Sequence, residues 1–170
     1  GVRFNPMPSS LVLLLIFGLI LMTTPVKAVE NYALYSQIMA ELPEEHIRDI
    51  GKPNVFKAGV NDSGNKFYRY EWDNLAITIN LMPESEIPNH LNGFAGYVEY
   101  LSEQKSIPLD NSLIERIFET RMVLAFIVDP ELDNQGRAEE VLGAITFNTK
   151  SLMFHSDAIY DENAKLVIGP

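Results

Sequence analysis

Hydrophobic and polar residues follow their most regular pattern between residues 66 and 101. Apolar side chains alternate with polar ones in segments 66–72 and 75–81, which flank the dipeptide Asp73-Asn74. A period of two is typical of half-buried strands, and Asp-Asn suits a two-residue hairpin turn because both residues tolerate left-handed backbone. Apolar residues then recur every three or four positions from 87 to 101, as on one face of a helix. This stretch therefore predicts a β-hairpin followed by an amphipathic helix that packs on it.

The rest of the chain adds further helices and strands. The uninterrupted apolar run 122–128 predicts a central strand that is covered on both faces. Segment 61–65 contains only residues that favour bends, and it predicts a turn. The other predicted elements are a helix at 31–42 that Pro43 ends, a strand at 55–59, a helix capped by Asp110, a helix at 137–147, and a closing hairpin with strands at 152–160 and 165–168.

Together these elements predict a single domain of the α+β class over residues 29–170. We expect a two-layer sandwich in which a mostly antiparallel sheet carries its helices mainly on one face. Apolar residues make up 46% of the chain and charged residues 21%, a balance that is ordinary for a globular protein and argues against intrinsic disorder. Because the chain has no cysteine, its core alone must hold the fold.

Residues 1–28 have the features of a targeting segment. An unbroken apolar run covers positions 11–22, and Val26-Lys27-Ala28 places small residues at the two positions that a signal peptidase reads. We therefore expect a cleaved signal peptide and a secreted or periplasmic protein. The alternative is an uncleaved membrane anchor, because the uncharged span 4–26 is long enough to cross a bilayer. A membrane contact is expected only in that second case.

The charge balance restricts the partners. A formal net charge of −10 repels phosphate backbones, and no basic cluster interrupts the acidic pattern. We therefore expect no nucleic-acid partner. The sequence also lacks a phosphate-binding loop, a dinucleotide fingerprint and a His-Glu-x-x-His zinc motif, so we expect no cofactor. The chain has three histidines, and their spacing does not show whether they meet in space.

The start of the central helix is the first candidate binding site. Asn89, His90 and Asn92 lie in its first turns, just after a strand ends, and strand ends beside helix starts are where layered folds leave crevices. The N–H groups and the dipole at a helix N-terminus favour an anion. We expect a small ligand there. Gly93 and Gly96 follow in the same helix, and we expect close approach of the helix to a neighbouring element at both.

The turn end of the hairpin is the second candidate. Trp72 and Tyr70 lie near Asp73-Asn74, and exposed aromatic residues often anchor a protein partner. We therefore expect Trp72 to be exposed and to contact a partner. A role in covering the sheet edge is the alternative.

A calcium loop is the third candidate. Glu131, Asp133 and Gln135 place oxygen ligands at alternate positions before Gly136. Neither way of counting an EF-hand loop puts a glutamate at the last position and a glycine at the turn together. A solvated loop whose acids favour the start of the next helix is the alternative, and it is the one we prefer.

These observations favour a non-catalytic binding or inhibitory module, of the kind that immunity proteins represent, with a protein partner or a small ligand. The chain is small and acidic, and no nucleophile–base motif occurs in it. Two alternatives stay open. One is a small exported hydrolase with a histidine base at His90 or His155, and the other is a membrane-anchored ligand-binding domain.

Overall fold

A computed structural model describes residues 29–129 and 136–169 of the chain. Within them lie eight strands, four α-helices and a single 3-10 turn at Glu84–Glu86. The strands are β1 Glu30–Ser36, β2 Val55–Val60, β3 Lys66–Trp72, β4 Leu75–Leu81, β5 Met122–Asp129, β6 Ser151–His155, β7 Ala158–Tyr160 and β8 Leu166–Ile168. The helices are α1 Glu44–Ile47, α2 Ile87–Gln104, α3 Asn111–Phe118 and α4 Arg137–Asn148.

All eight strands belong to one open antiparallel sheet in the order β2-β3-β4-β5-β1-β6-β7-β8. The α+β class and the antiparallel sheet predicted from the sequence are therefore confirmed. The apolar strand β5 lies in the interior of the sheet between β4 and β1, as its uninterrupted hydrophobic run predicts. The hairpin around Asp73-Asn74 is also confirmed, because Trp72 pairs directly with Leu75.

The two faces of the sheet carry different helices. In β1, Ala33 and Tyr35 point to the face that is covered by α2 and α3, whereas Tyr32 and Leu34 point to the opposite face. That opposite face is covered by α4 and by Ile47 of the short helix α1. The larger share of the helical residues, in α2 and α3, thus packs on one face. The other face is buried mainly by the aromatic residues of β3 and by α4.

The helix predicted at 31–42 is wrong. The segment forms β1, the strand that lies between β5 and β6 at the centre of the sheet. Five consecutive residues, 32–36, are buried because the strand is covered on both faces. Ile38, which the helical spacing placed in the core, is 48% exposed. Pairing with two distant strands therefore overrides the local periodicity of three and four.

The closing hairpin also differs from its prediction. The strand expected at 152–160 is divided into β6 and β7 by a two-residue turn at Ser156-Asp157. Both turn residues have positive φ, 48° and 59°, which is the geometry that a tight hairpin requires. The predicted pairing across residues 161–164 is confirmed, since β7 pairs with β8.

The predicted signal peptide or anchor, at 1–28, lies outside the described residues. The calcium candidates Glu131, Asp133 and Gln135 lie outside them as well. Within residues 29–129 and 136–169, no helix combines the length and the apolar character that crossing a bilayer requires.

Candidate functional site

A cleft of about 460 Å³ lies at the end of the sheet where β4 stops and α2 begins. Five separate segments surround it: the loop after β1, the turn between β2 and β3 with the start of β3, the end of β4 with the residues up to Glu84, the first residue of α2, and the start of β5. Its volume is in the range of small-molecule sites. The sequence predicted a crevice at this junction, but with other residues around it. We call this feature the strand-end cleft.

The floor of the strand-end cleft is apolar. Its buried members are Leu42, Tyr68, Met82, Ile87 and Met122. Apolar side chains that face a cleft remove their remaining surface from water when a ligand covers them, which favours binding by about 25 cal/mol per Å². The floor therefore suits an apolar group of a ligand.

Two buried polar contacts hold this floor in place. The Tyr68 hydroxyl donates to the Leu42 carbonyl at 2.7 Å and so fixes the loop that follows β1. The Met82 backbone N–H donates to the Val123 carbonyl at 3.0 Å, and it continues the sheet for one residue beyond β4. Pro83 then ends the strand, because it has no N–H to pair. The backbone around the cleft is thus held in place by hydrogen bonds of the fold itself.

The rim of the strand-end cleft carries charges of both signs. Lys66 and Arg121 supply cations, and Glu41 and Glu84 supply carboxylates; all four residues are exposed. None of them takes part in the ion pairs found among residues 29–129 and 136–169. Arg121 does donate one guanidinium hydrogen bond, to the Ile38 carbonyl at 3.1 Å. Such a rim suits a ligand that itself carries both charges.

His90 lies near this cleft but faces the core. Its Nε2 is 2.8 Å from the hydroxyl of Tyr35, which is 0% exposed. The imidazole also stacks on Tyr35 and Phe94, with ring centroids 5.6 Å and 6.1 Å apart. Burial lowers the pKa of His90 to about 4, because the charged imidazolium would lose its hydration there. Burial likewise raises the pKa of Tyr35 well above its ordinary value. His90 is therefore engaged with the core side of α2, and its role in a ligand rim stays a prediction.

The structure does not bring Asn89 and Asn92 together with His90. Both asparagines are exposed and lie on the solvent side of α2, while His90 lies on the side that packs against β1. Neither asparagine lines the strand-end cleft. Glu84 and Glu86 lie at the start of this helix, so the negative charge there disfavours the predicted anion.

The predicted exposure of Trp72 at the hairpin turn is wrong. Trp72 is 7% exposed, and its indole N–H donates to the Gly51 carbonyl at 2.9 Å. Tyr70 is 0% exposed, and its hydroxyl donates to the Ile47 carbonyl. The two rings stack with centroids 5.8 Å apart. Both residues join the core, where they hold the segment 47–51 against β3, so we no longer propose them as an exposed anchor.

The close contacts predicted at Gly93 and Gly96 are also wrong. A Cβ atom built at either position meets no atom within 4 Å beyond its chain neighbours and the adjacent backbone of α2 itself. Both glycines are exposed on α2. We find no contact that offsets the helix propensity lost there.

The imidazole of His155 contacts the backbone of β1 and a neighbouring serine. Its Nδ1 is 2.7 Å from the Asn31 carbonyl, which only accepts hydrogen bonds, so Nδ1 carries the proton and Nε2 is left as an acceptor. The hydroxyl of Ser156, in the turn between β6 and β7, lies 3.3 Å from this Nε2. The imidazole stacks on Tyr32 with centroids 4.0 Å apart. His46, the third histidine, is exposed on α1, so the three histidines do not form one site.

Residues 29–129 and 136–169 contain no group of three or more His, Asp or Glu side chains arranged to hold a metal ion.

Comparison of the chain with protein-family models, with curated proteins and with solved structures gives no significant match.

The sequence reasoning missed Lys66, Arg121 and the floor residues of the strand-end cleft. One signal was present: Arg121 is a single cation directly before a fully apolar strand, which places it at a sheet end. Met82-Pro83 gave the same indication for the end of β4. Only the fold shows that these two ends lie side by side.

Proposed function

We propose that this chain is an exported, non-catalytic binding module that takes a short peptide segment of a protein partner in the strand-end cleft. In this proposal the module acts as an inhibitor or immunity-type factor, in a secreted or periplasmic location. If residues 4–26 stay attached, the same module works at a membrane surface. The observation that carries the proposal is the apolar floor beneath a rim of four charges that form no ion pair with a described residue.

A peptide fits this chemistry better than a simple anion or a purely apolar molecule does. An apolar side chain of the peptide would cover Met82 and Ile87, while an acidic group beside it would meet Arg121 or Lys66. The carboxylates of the rim, such as Glu84, would meet a cation or the N–H groups of the same peptide. Charges arranged in this way contribute mainly to specificity and to the rate of association.

The test combines partner capture with matched variants. The mature chain is used to capture proteins from the secretome of its own source, and the captured partner is then titrated against wild type, Arg121→Gln, Lys66→Gln and Arg48→Gln. Arg48 is an exposed cation on the surface near α1 and does not line the cleft, so its variant is the matched control. We expect the two cleft variants to bind about tenfold more weakly, equivalent to about 1.4 kcal/mol each.

The experiment can contradict the proposal in two ways. Equal affinity of Arg121→Gln, Lys66→Gln and wild type for a stoichiometric partner would show that the partner binds elsewhere. Turnover of a substrate that a single histidine substitution abolishes would show an enzyme. Salt dependence supplies a further check, because rim charges act in water and their contribution falls as ionic strength rises.

A hydrolase with His155 as its base is the second candidate, and the contact with Ser156 favours it. Nδ1 is held by a carbonyl and Nε2 faces a hydroxyl, which is the arrangement of an oriented base beside a nucleophile. Ser156 is exposed and has a φ of 48°. We no longer propose His90 as the base, because its Nε2 is bonded to the buried Tyr35 hydroxyl.

A fluorophosphonate probe tests this second candidate. Labelling of the wild type that is lost in both Ser156→Ala and His155→Gln would support a nucleophilic serine. The same low level of labelling in wild type and in both variants would show that the pair only shapes the hairpin turn.

A further inference from the structure

The strand β2 forms a long, uncovered edge of the sheet. It pairs with β3 on one side, and no described strand pairs with its other side. Five of its six residues are exposed. At the opposite edge, β8 has three residues and an irregular register against β7, which are features that protect an edge from pairing. The strand β2, with six residues, is twice as long as β8.

The register of the hairpin shows which backbone groups of β2 are free. In the hairpin formed by β2 and β3, the Asn61 N–H donates to the Asn65 carbonyl and the Gly64 N–H donates to the Asn61 carbonyl. Asn61 and Asn65, at the turn, are therefore a hydrogen-bonded pair. Bonded and non-bonded pairs alternate in an antiparallel ladder. Phe56, Ala58 and Val60 therefore direct their N–H and C=O groups away from β3, whereas the residues between them bond to it.

We propose that β2 is a self-association surface, at which it pairs antiparallel with β2 of a second copy of this chain about a two-fold axis through Ala58. In this register Phe56 of one copy faces Val60 of the other, and Ala58 faces its own equivalent. All the outward backbone groups of these three residues are then paired, in about six hydrogen bonds. A continuous sheet with eight strands from each copy results.

The side chains of β2 match this register and disfavour the one centred on Lys57. Val60 is 63% exposed, and pairing with the partly buried Phe56 of the other copy covers it. A shift by one position that centres the pair on Lys57 would put two lysines directly opposite each other, which is destabilising. In the proposed register Lys57 faces Gly59 instead. Lys57 also keeps a counter-ion in its own chain, because its Nζ is 4.0 Å from a Glu71 carboxylate oxygen.

The size of this interface sets the expected affinity. Stable specific interfaces bury about 1,200–2,000 Å² in total, and one strand pair of this length buries less. We therefore expect a reversible dimer that forms at concentrations of about 10–100 µM and above. This inference does not depend on the proposed function, because β2 does not line the strand-end cleft.

Opposite charges at Ala58 test the two-fold register directly. Sedimentation velocity over about 5–500 µM should show concentration-dependent dimers of the wild type. Ala58→Glu and Ala58→Lys should each stay monomeric, because like charges would then meet at the axis, and an equimolar mixture of the two should form dimers again. Leu166→Glu, on the exposed part of β8, is the matched control and should dimerise as the wild type does.

Amide exchange of the same samples gives a second readout that depends on no substitution. The amides of Phe56, Ala58 and Val60 should gain protection as concentration rises, while those of Lys57 and Gly59 should stay constant. A wild type that stays monomeric at every concentration would overturn the proposal. This holds even if another segment of the same chain protects the outward amides of β2. Dimers of Ala58→Glu as strong as those of the wild type, or a mixture that stays monomeric, would overturn it too.

Discussion

Replacing His90 by phenylalanine tests the buried contact between α2 and β1. The phenyl ring can keep the stacking on Tyr35 and Phe94 but cannot bond the Tyr35 hydroxyl. A buried hydroxyl that loses its partner costs about 1–3 kcal/mol. We therefore expect the free energy of unfolding at pH 7.5 to fall by about that amount in His90→Phe.

At acidic pH the difference in stability between wild type and His90→Phe should shrink and then reverse. The pKa of His90 is about 4 in the folded state and 6.5 as its ordinary value, so on acidification the unfolded chain takes up a proton that the folded chain excludes. The wild type therefore loses stability as pH falls from about 6.5 to about 4, by about 3 kcal/mol over the whole window. His90→Phe lacks this loss, and the two stability curves should meet or cross between about pH 6 and pH 4.

Urea unfolding at half-unit steps from pH 7.5 to pH 4 measures both effects. The carboxylates whose pKa the fold lowers are present in both proteins and cancel in the difference. Glu162, whose ionised form a backbone hydrogen bond and then Arg116 stabilise, is one of them. His46→Gln changes an exposed histidine and shows how much of any effect comes from removing a histidine as such. Parallel curves for wild type and His90→Phe over this window would refute the reasoning, as would an NMR titration of the His90 ring with a midpoint near 6.5.

Four further substitutions test other parts of the fold. Trp72→Ala should lower the free energy of unfolding by about 3–5 kcal/mol in chemical denaturation, because it removes a buried ring; a near-neutral result would restore the exposed-anchor hypothesis. Gly93→Ala and Gly96→Ala should each raise the free energy of unfolding by about 0.5–1 kcal/mol, since a Cβ meets nothing there; destabilisation in the isolated chain would show a contact that we do not see. Tyr68→Phe should cost about 1 kcal/mol and speed amide exchange around Leu42, because it unpairs that carbonyl; unchanged exchange would show that the hydroxyl does not hold the loop.

Local sequence determined the parts of the fold whose partners are close along the chain. The hairpin at Asp73-Asn74, the helix that begins at Ile87 and the helix capped by Asp110 all follow from spacing and turn chemistry within a few residues. The side chain of Asp110 accepts from the Ser112 N–H at 2.9 Å, as a capping residue does. The buried strand β5 was also predictable, because a short apolar run without alternation requires cover on both faces.

The tertiary structure decided everything that depends on contacts between distant segments. Residues 31–36 form a strand because β5 and β6 pair with them, and no local pattern contains that information. Trp72 is buried because the Gly51 carbonyl and the segment around it come to lie on β3. The strand-end cleft needs five separate segments, so its charged rim of Lys66 and Arg121 exists only once the sheet has formed. Sequence patterns report which side chains need burial, but the identity of the covering partner is settled by the packing of the whole sheet.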